Sequence, residues 1–116
     1  MADRNLLCNI SWNQINALGW ITGSTTVTID GHTYKVRLLT GGTSSSDTGS
    51  EWNTLTSLTT SDDVMHWQYC ASWCSETLAH GAVSRRGWNS ATDWNCSFPT
   101  VTSVDYGFRP ALELVN

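Results

Sequence analysis

Lysine is nearly missing from this chain. Lys35 is the only one in 116 residues, the basic set totals 6, and the formal net charge is −4. Phosphate contacts need clustered Lys and Arg, and the longest basic run is Arg85-Arg86, so nucleic acid is excluded as a partner. An anionic membrane surface is disfavoured for the same reason. Charged residues of both signs reach only 14%, and Ser, Thr, Asn and Gly take their place. Long apolar runs are missing too. No stretch approaches the roughly 20 residues of a membrane span. Leu6-Leu7-Cys8 falls well short of the roughly 7–15 apolar residues of a signal-peptide centre. The expectation is a chain made in the cytoplasm, with no membrane partner.

The marks of common chemistries are also missing. Gly41-Gly42 is not followed by the Gly-Lys-Ser of a phosphate-binding loop. The three histidines, His32, His66 and His80, accompany no nucleophile motif. Asp62-Asp63, Asp93 and Asp105 sit in polar, turn-rich stretches, where aspartate marks wet turns and helix caps more often than paired acids. Cys8, Cys70, Cys74 and Cys96 are too scattered for a structural zinc site. Their even number permits bridges. Without an export signal, free thiols are expected; a bridge from Cys70 or Cys74 to Cys96 is the exported alternative. No catalytic residue, cofactor or metal is expected.

What is present reads as one domain over residues 1–116, of α+β class. Thr, Val and Ile alternate over 25–29, Asp30-Gly31 follows, and Tyr34, Val36 and Leu38 alternate beyond it. That is a β-hairpin with an Asp-Gly turn, with His32 and Lys35 on its wet side. Ser11 is placed to cap a short helix ending near Gly19, and Ser50 to cap another in SEWNTL, with Asn53 in place of the usual Glu or Gln. Residues 40–50, TGGTSSSDTGS, form a loop. Residues 67–78 read as helix or irregular strand, and short strands with long connections follow Gly81. The ending enters a core strand past Pro110, which must lie where no ladder amide is needed. Leu112, Leu114 and Val115 are expected to supply core packing there.

Seven tryptophans carry most of the remaining information. Trp20, Trp52 and Trp73 read as core. Trp67, Trp88 and Trp94 lie in polar, turn-rich contexts and are candidates for a contact surface, since Trp is enriched among residues that dominate binding energy. Asn89 and Asn95 add hydrogen-bonding groups beside them. Arg85 and Arg86 offer the only paired positive charge, suited to a bidentate contact. The stretch from Gly81 to Tyr106 is therefore the expected contact surface.

Five segments carry a resemblance: YKVRLLTGG (34–42), SEWNTL (50–55), SWCSE (72–76), VSRRGW (83–88) and YGFRPALELV (106–115). Together they resemble a family of small phage- and bacterium-encoded domains with a C-type-lectin-like fold, of the formylglycine-generating-enzyme type. The resemblance implies short helices packed on small antiparallel sheets with long loops. It implies a phage-encoded, non-enzymatic module that binds a host protein or glycan, as a receptor-binding or tail protein in the virion. An intracellular effector or inhibitor of a host protein, in the host cytoplasm, is the alternative, and an enzyme a distant third. A homo-oligomer is compatible with either. The resemblance also makes Arg109 structural, near the last strand; residue chemistry offers Glu76, Glu51 or Asp105 as its partner. The cysteine pair of the enzyme relatives and the calcium-binding patterns of calcium lectins are not matched.

Overall fold

Ser11 opens the first helix. Its hydroxyl accepts from the Gln14 amide while the Gln14 side chain accepts from the Ser11 amide, a reciprocal cap on α1 (Trp12–Ala17). Gly19 follows at φ +77°, beyond the helix end as expected. Ser50 caps α2 (Glu51–Thr56) through the Asn53 amide. A single turn, α3 (Asp62–Met65), ends at His66 in the left-handed region. The computed structural model describes residues 1–115.

The strands form two sheets. Five strands pair in the order β1 (Leu7–Cys8), β7 (Tyr106–Phe108), β4 (Ala71–Thr77), β5 (Val83–Arg86), β6 (Trp94–Ser97). The pairings are antiparallel except β4 with β7. The second sheet holds β2 (Thr22–Ile29), β3 (His32–Arg37) and β8 (Ala111–Leu114) in that order, all antiparallel. The hairpin is as its sequence indicates, with Asp30 and Gly31 both at positive φ. The hairpin and the last strand share one sheet. The protein is thus an α+β fold of two small sheets with a few short helices. One buried cluster, including Ile15, Val36, Leu38, Trp73, Val83 and Phe108, draws on both sheets.

The ending differs from the single core strand its sequence suggests. Phe108 closes β7 in one sheet and Ala111 opens β8 in the other, so Arg109-Pro110 is the crossover. Pro110 carries no amide and sits in the gap between ladders, where none is needed. Its carbonyl accepts from the Ala2 amide. Ala111 is buried against Leu39, Trp52 and Leu55. Leu112, Leu114 and Val115 are exposed, not core; Leu112 and Leu114 lie opposite Val36 and Tyr34 of the hairpin.

Arg109 is buried, but no carboxylate among the described residues meets it. Nη2 donates to the His66 carbonyl at 3.0 Å, and the guanidinium lies 5.3 Å from the Trp52 ring. Nε and Nη1 have no partner among the described residues. Two of the expected partners are engaged elsewhere, and the third lies apart. Glu51 takes both terminal nitrogens of Arg37 at 2.7 Å. Glu76 accepts from the Gly41 and Gly42 amides at 2.6–3.0 Å. Asp105 lines a hollow on the five-stranded sheet. Burial lowers the Arg109 pKa to about 10. Replacing a buried, under-partnered charge by an apolar side chain of similar length is often neutral or stabilising. Arg109→Met is accordingly expected to hold stability within roughly 1 kcal/mol, whereas Arg109→Ala leaves a cavity and costs roughly 2–4 kcal/mol; chemical denaturation of both variants checks the difference.

The 40–50 loop is polar, as its composition indicates, but it is anchored. Gly41 is fixed by space: a Cβ there would meet the Cys74 Cβ at 2.7 Å. Glu76 holds the two glycine amides from β4, a structural role at this loop and not the Arg109 partnership that residue chemistry offered. Asp47 accepts from the Thr43 and Gly49 amides at 3.1 and 3.2 Å. At the loop's far end, Arg37 bridges Glu51 and Glu113. The Arg37 guanidinium pulls the Glu51 carboxyl down to about 2 from 4.5. A depressed carboxylate contributes stability above its unfolded pKa that is lost as pH falls through the folded value. The denaturation midpoint is therefore expected to fall between pH 4.5 and about 2, and Glu51→Gln should flatten that acid limb while lowering the plateau above it.

Candidate functional site

The hairpin of β5 and β6 sorts the two arginines. Successive side chains of a strand point to opposite faces. Arg85 is paired with Asn95, and Arg86 with Trp94. Residues directly opposite across a ladder share a face, so Arg85 and Asn95 emerge together on one side, Arg86 and Trp94 on the other.

The Arg86 side turns inward. Arg86 is 2% exposed. Nη1 donates to the Gly41 carbonyl and Asn53 Oδ1, both at 2.7 Å; Nε reaches the Asp93 carbonyl at 3.0 Å and Nη2 the Thr92 carbonyl at 2.9 Å. Burial lowers its pKa, and the nearby Glu76, Asp47 and Asp93 oppose that. Arg86 is a structural tie between the 40–50 loop, α2 and the 92–93 turn, not the contact residue its sequence suggests. Trp94, half-buried, donates Nε1 to the Gly42 carbonyl at 2.9 Å. It too fastens the loop, so it is corrected from contact residue to staple.

The Arg85 side opens outward. A hollow of about 280 Å³ is lined by Arg85, Trp88, Asp93, Asn95, Ser103, Asp105 and Tyr106. The Arg85 guanidinium lies 4.3 Å over the Tyr106 ring, a cation–π stack that fixes its plane. Nε donates to Ser97 Oγ at 2.9 Å. Tyr106 is held from behind by Trp73, edge-on at 5.8 Å. Trp73 is 1% exposed and donates Nε1 to the Ile10 carbonyl. The floor of the hollow thus rests on the main core.

Trp88 forms the opposite wall in a strained conformation. Its φ is +106°, where a bulky residue costs on the order of 1–3 kcal/mol. Its amide donates to the Trp67 carbonyl at 2.9 Å and its carbonyl accepts from the Tyr69 amide at 2.7 Å. Gly87 before it has φ +85°, and a Cβ there would press on the Cys70 carbonyl and the Trp67 side chain at 3.3 Å. The Tyr69 ring meets the Trp88 ring edge-on at 5.3 Å and is itself exposed.

Of the expected contact residues, the fold brings Arg85, Trp88 and Asn95 together. Asn89 is exposed outside the hollow, its amide 3.4 Å from Asp93 Oδ2. Trp67 is half-buried and donates Nε1 to the Thr60 carbonyl, supporting Trp88 instead of lining the hollow. Ser103, Tyr106 and the facing Asp93 and Asp105 lie within the expected 81–106 stretch but were not singled out in it as contact residues. Tyr106 reaches Arg85 only through the pairing of β7 with β4 and of β4 with β5. Nothing local marked Ser103.

All four cysteines are unbridged, and none lines this hollow. Cys74 is buried, and burial pushes its thiol pKa up. No group of three or more His, Cys, Asp or Glu side chains suited to a metal occurs among the described residues. No helix among them is long and apolar enough to cross a membrane. No protein-family model, curated protein or solved structure matches this chain.

Proposed function

We propose that this chain is a non-catalytic binding module, phage-encoded and of C-type-lectin-like fold as the sequence resemblance implies, whose hollow at Arg85 takes one residue of a host glycan. The observation that carries the reading is a fixed cation in that hollow whose terminal nitrogens face side-chain oxygens with acceptor capacity to spare. The terminal nitrogens of Arg85 have no hydrogen-bond partner among the described residues, while Nε and the Tyr106 ring hold the group in place. Asp93, Asp105, Asn95 and Ser103 supply oxygens around it. A saccharide presents hydroxyls that donate to carboxylates and accept from a guanidinium, and an apolar ring face that lies on an aromatic such as Trp88. The volume, about 280 Å³, stands at the small end of ligand pockets, which suits one sugar unit more than a long ligand.

A host-protein partner is the second reading, favoured by Tyr69. It is exposed beside Trp88 and extends the aromatic surface beyond the hollow, as the apolar centre of a protein contact with a polar rim would require. A glycan array beside a host-lysate pull-down separates the two. The glycan reading expects array binding that Arg85→Ala abolishes. Capture of one protein with a blank array favours the second reading. A blank in both contradicts the module altogether.

A further inference from the structure

The hollow at Arg85 is lined by three charged side chains, Arg85, Asp93 and Asp105, all half-buried. They do not neutralise one another. The ion pairs among the described residues join Arg4 and His66 to Asp3, and Arg37 to Glu51 and Glu113. Arg85 has its Nε on Ser97 and its plane on Tyr106, with both terminal nitrogens unused. The Asp105 backbone is pinned: its amide donates to Ser103 Oγ and its carbonyl accepts from the Ala71 amide. Its carboxylate accepts no hydrogen bond among the described residues. Asp93 Oδ2 meets the Asn89 amide at 3.4 Å, and its charge also acts on the buried Arg86, so Asp105 is the freer of the two.

We infer that the sugar unit bound there is zwitterionic, with an anionic group set against Arg85 and a free ammonium set against Asp93 and Asp105. This rests on the glycan reading of the hollow and narrows it. Charge pairing is the first argument. Filling the hollow strips water from all three charges, and a charge that loses water without gaining an opposite partner is penalised. A neutral sugar offers hydroxyls to each of them and an opposite charge to none. An acidic sugar pairs with Arg85 but meets two carboxylates of its own sign. An amino sugar pairs with the carboxylates but meets the guanidinium. A unit bearing both groups pairs with all three.

Spacing is the second argument. Asn95 stands opposite Arg85, and the ladder continues to Asp93, whose carbonyl accepts from the Gly87 amide. Asp93 is two residues from Asn95, on the same face and about 7 Å along the strand. Cation and carboxylate are thus separated by about one ring with its substituents, so both poles of the ligand belong to a single unit. Trp88 adds a third term at the far wall, since an ammonium near an indole face gains a cation–π attraction.

Four sugars on one scaffold test this: glucose, glucosamine, glucuronic acid, and muramic acid, a glucosamine with a carboxylate arm. Each is titrated into the whole chain just below neutral pH, where the amines are protonated and the carboxylates ionised. Binding is read from NMR shifts of the hollow's amide and indole groups. Muramic acid is expected to bind roughly five-fold or more tighter than either singly charged sugar, a margin that added salt shrinks. Asp105→Asn should cut its margin over glucuronic acid and keep that over glucosamine; Arg85→Gln should do the reverse. Melting curves check that both variants fold, and the ranking on the parent chain decides alone if one does not. Any of the other three sugars binding as tightly as muramic acid overturns the inference and leaves the glycan reading standing. No shift from any of the four also overturns it, and a blank glycan array beside that result removes the glycan reading as well.

Discussion

Arg86→Ala is expected to cost roughly 3–5 kcal/mol, the range for stripping one partner from a buried charged network. In a chain of this size that lowers Tm by roughly 12–20 °C. The size follows from what the guanidinium joins. It holds the Gly41, Thr92 and Asp93 carbonyls and the Asn53 side chain within 3.0 Å. Removing it leaves several acceptors buried and unpaired at once. Arg86→Lys should recover only part of the loss, because a point-like ammonium does not span acceptors that a planar fork reaches in two directions. Thermal melting of both variants checks this. An Arg86→Ala chain that melts with the parent would show the loop and α2 to be held by other contacts.

Trp52→Ala is expected to cost a similar amount, roughly 3–5 kcal/mol, from lost burial and the cavity left behind. Trp52 is 1% exposed, donates Nε1 to the Ala91 carbonyl at 2.8 Å, and presents its ring to Arg109. Loss of the ring removes the main contact of a guanidinium with two unpartnered nitrogens. The double variant Trp52→Ala/Arg109→Met should therefore cost less than the two single changes added, since neighbouring sites couple. Denaturant midpoints of the four chains measure the coupling directly. Strict additivity would mean that ring and guanidinium do not interact.

The elements with strong local chemistry were legible in the sequence. The Asp-Gly hairpin follows from alternation and turn residues, and both helix caps from a serine placed just ahead of the helix, with Asn53 three residues beyond Ser50. Trp52 and Trp73 were legible as core. Trp20 is only partly buried, stacked on Phe108 at 5.0 Å. The ending was misread because alternation across Phe108 to Val115 looks the same whether one strand or two carry it. Only the three-dimensional path shows Arg109-Pro110 changing sheets. Leu112 and Leu114 then pair with the hairpin strand β3 and stay exposed.

The candidate site was half legible. Period-two alternation alone would have separated Arg85 from Arg86 and Asn95 from Trp94, once both segments were taken as paired strands. Without that pairing, adjacent arginines and adjacent aromatic and amide residues look like one patch. Asp105 and Tyr106 approach Arg85 through the parallel pairing of β4 with β7, which joins residues about thirty-five positions apart at Ala71 and Tyr106. Such long-range parallel contacts leave no local pattern to read.

The most direct test of the contact surface is a paired measurement on Trp88→Ala: its melting temperature, and its binding to whichever immobilised glycan the parent chain retains. Trp88 is half-buried, and alanine keeps the backbone as it stands, so losing the indole should change Tm little while weakening binding by roughly 30-fold or more, about 2 kcal/mol. Trp94→Ala, which removes a staple on the inward side, should lower Tm and is the internal comparison. A Trp88→Ala chain that unfolds, or one that keeps both its Tm and its binding, would contradict a contact surface at the Arg85 hollow.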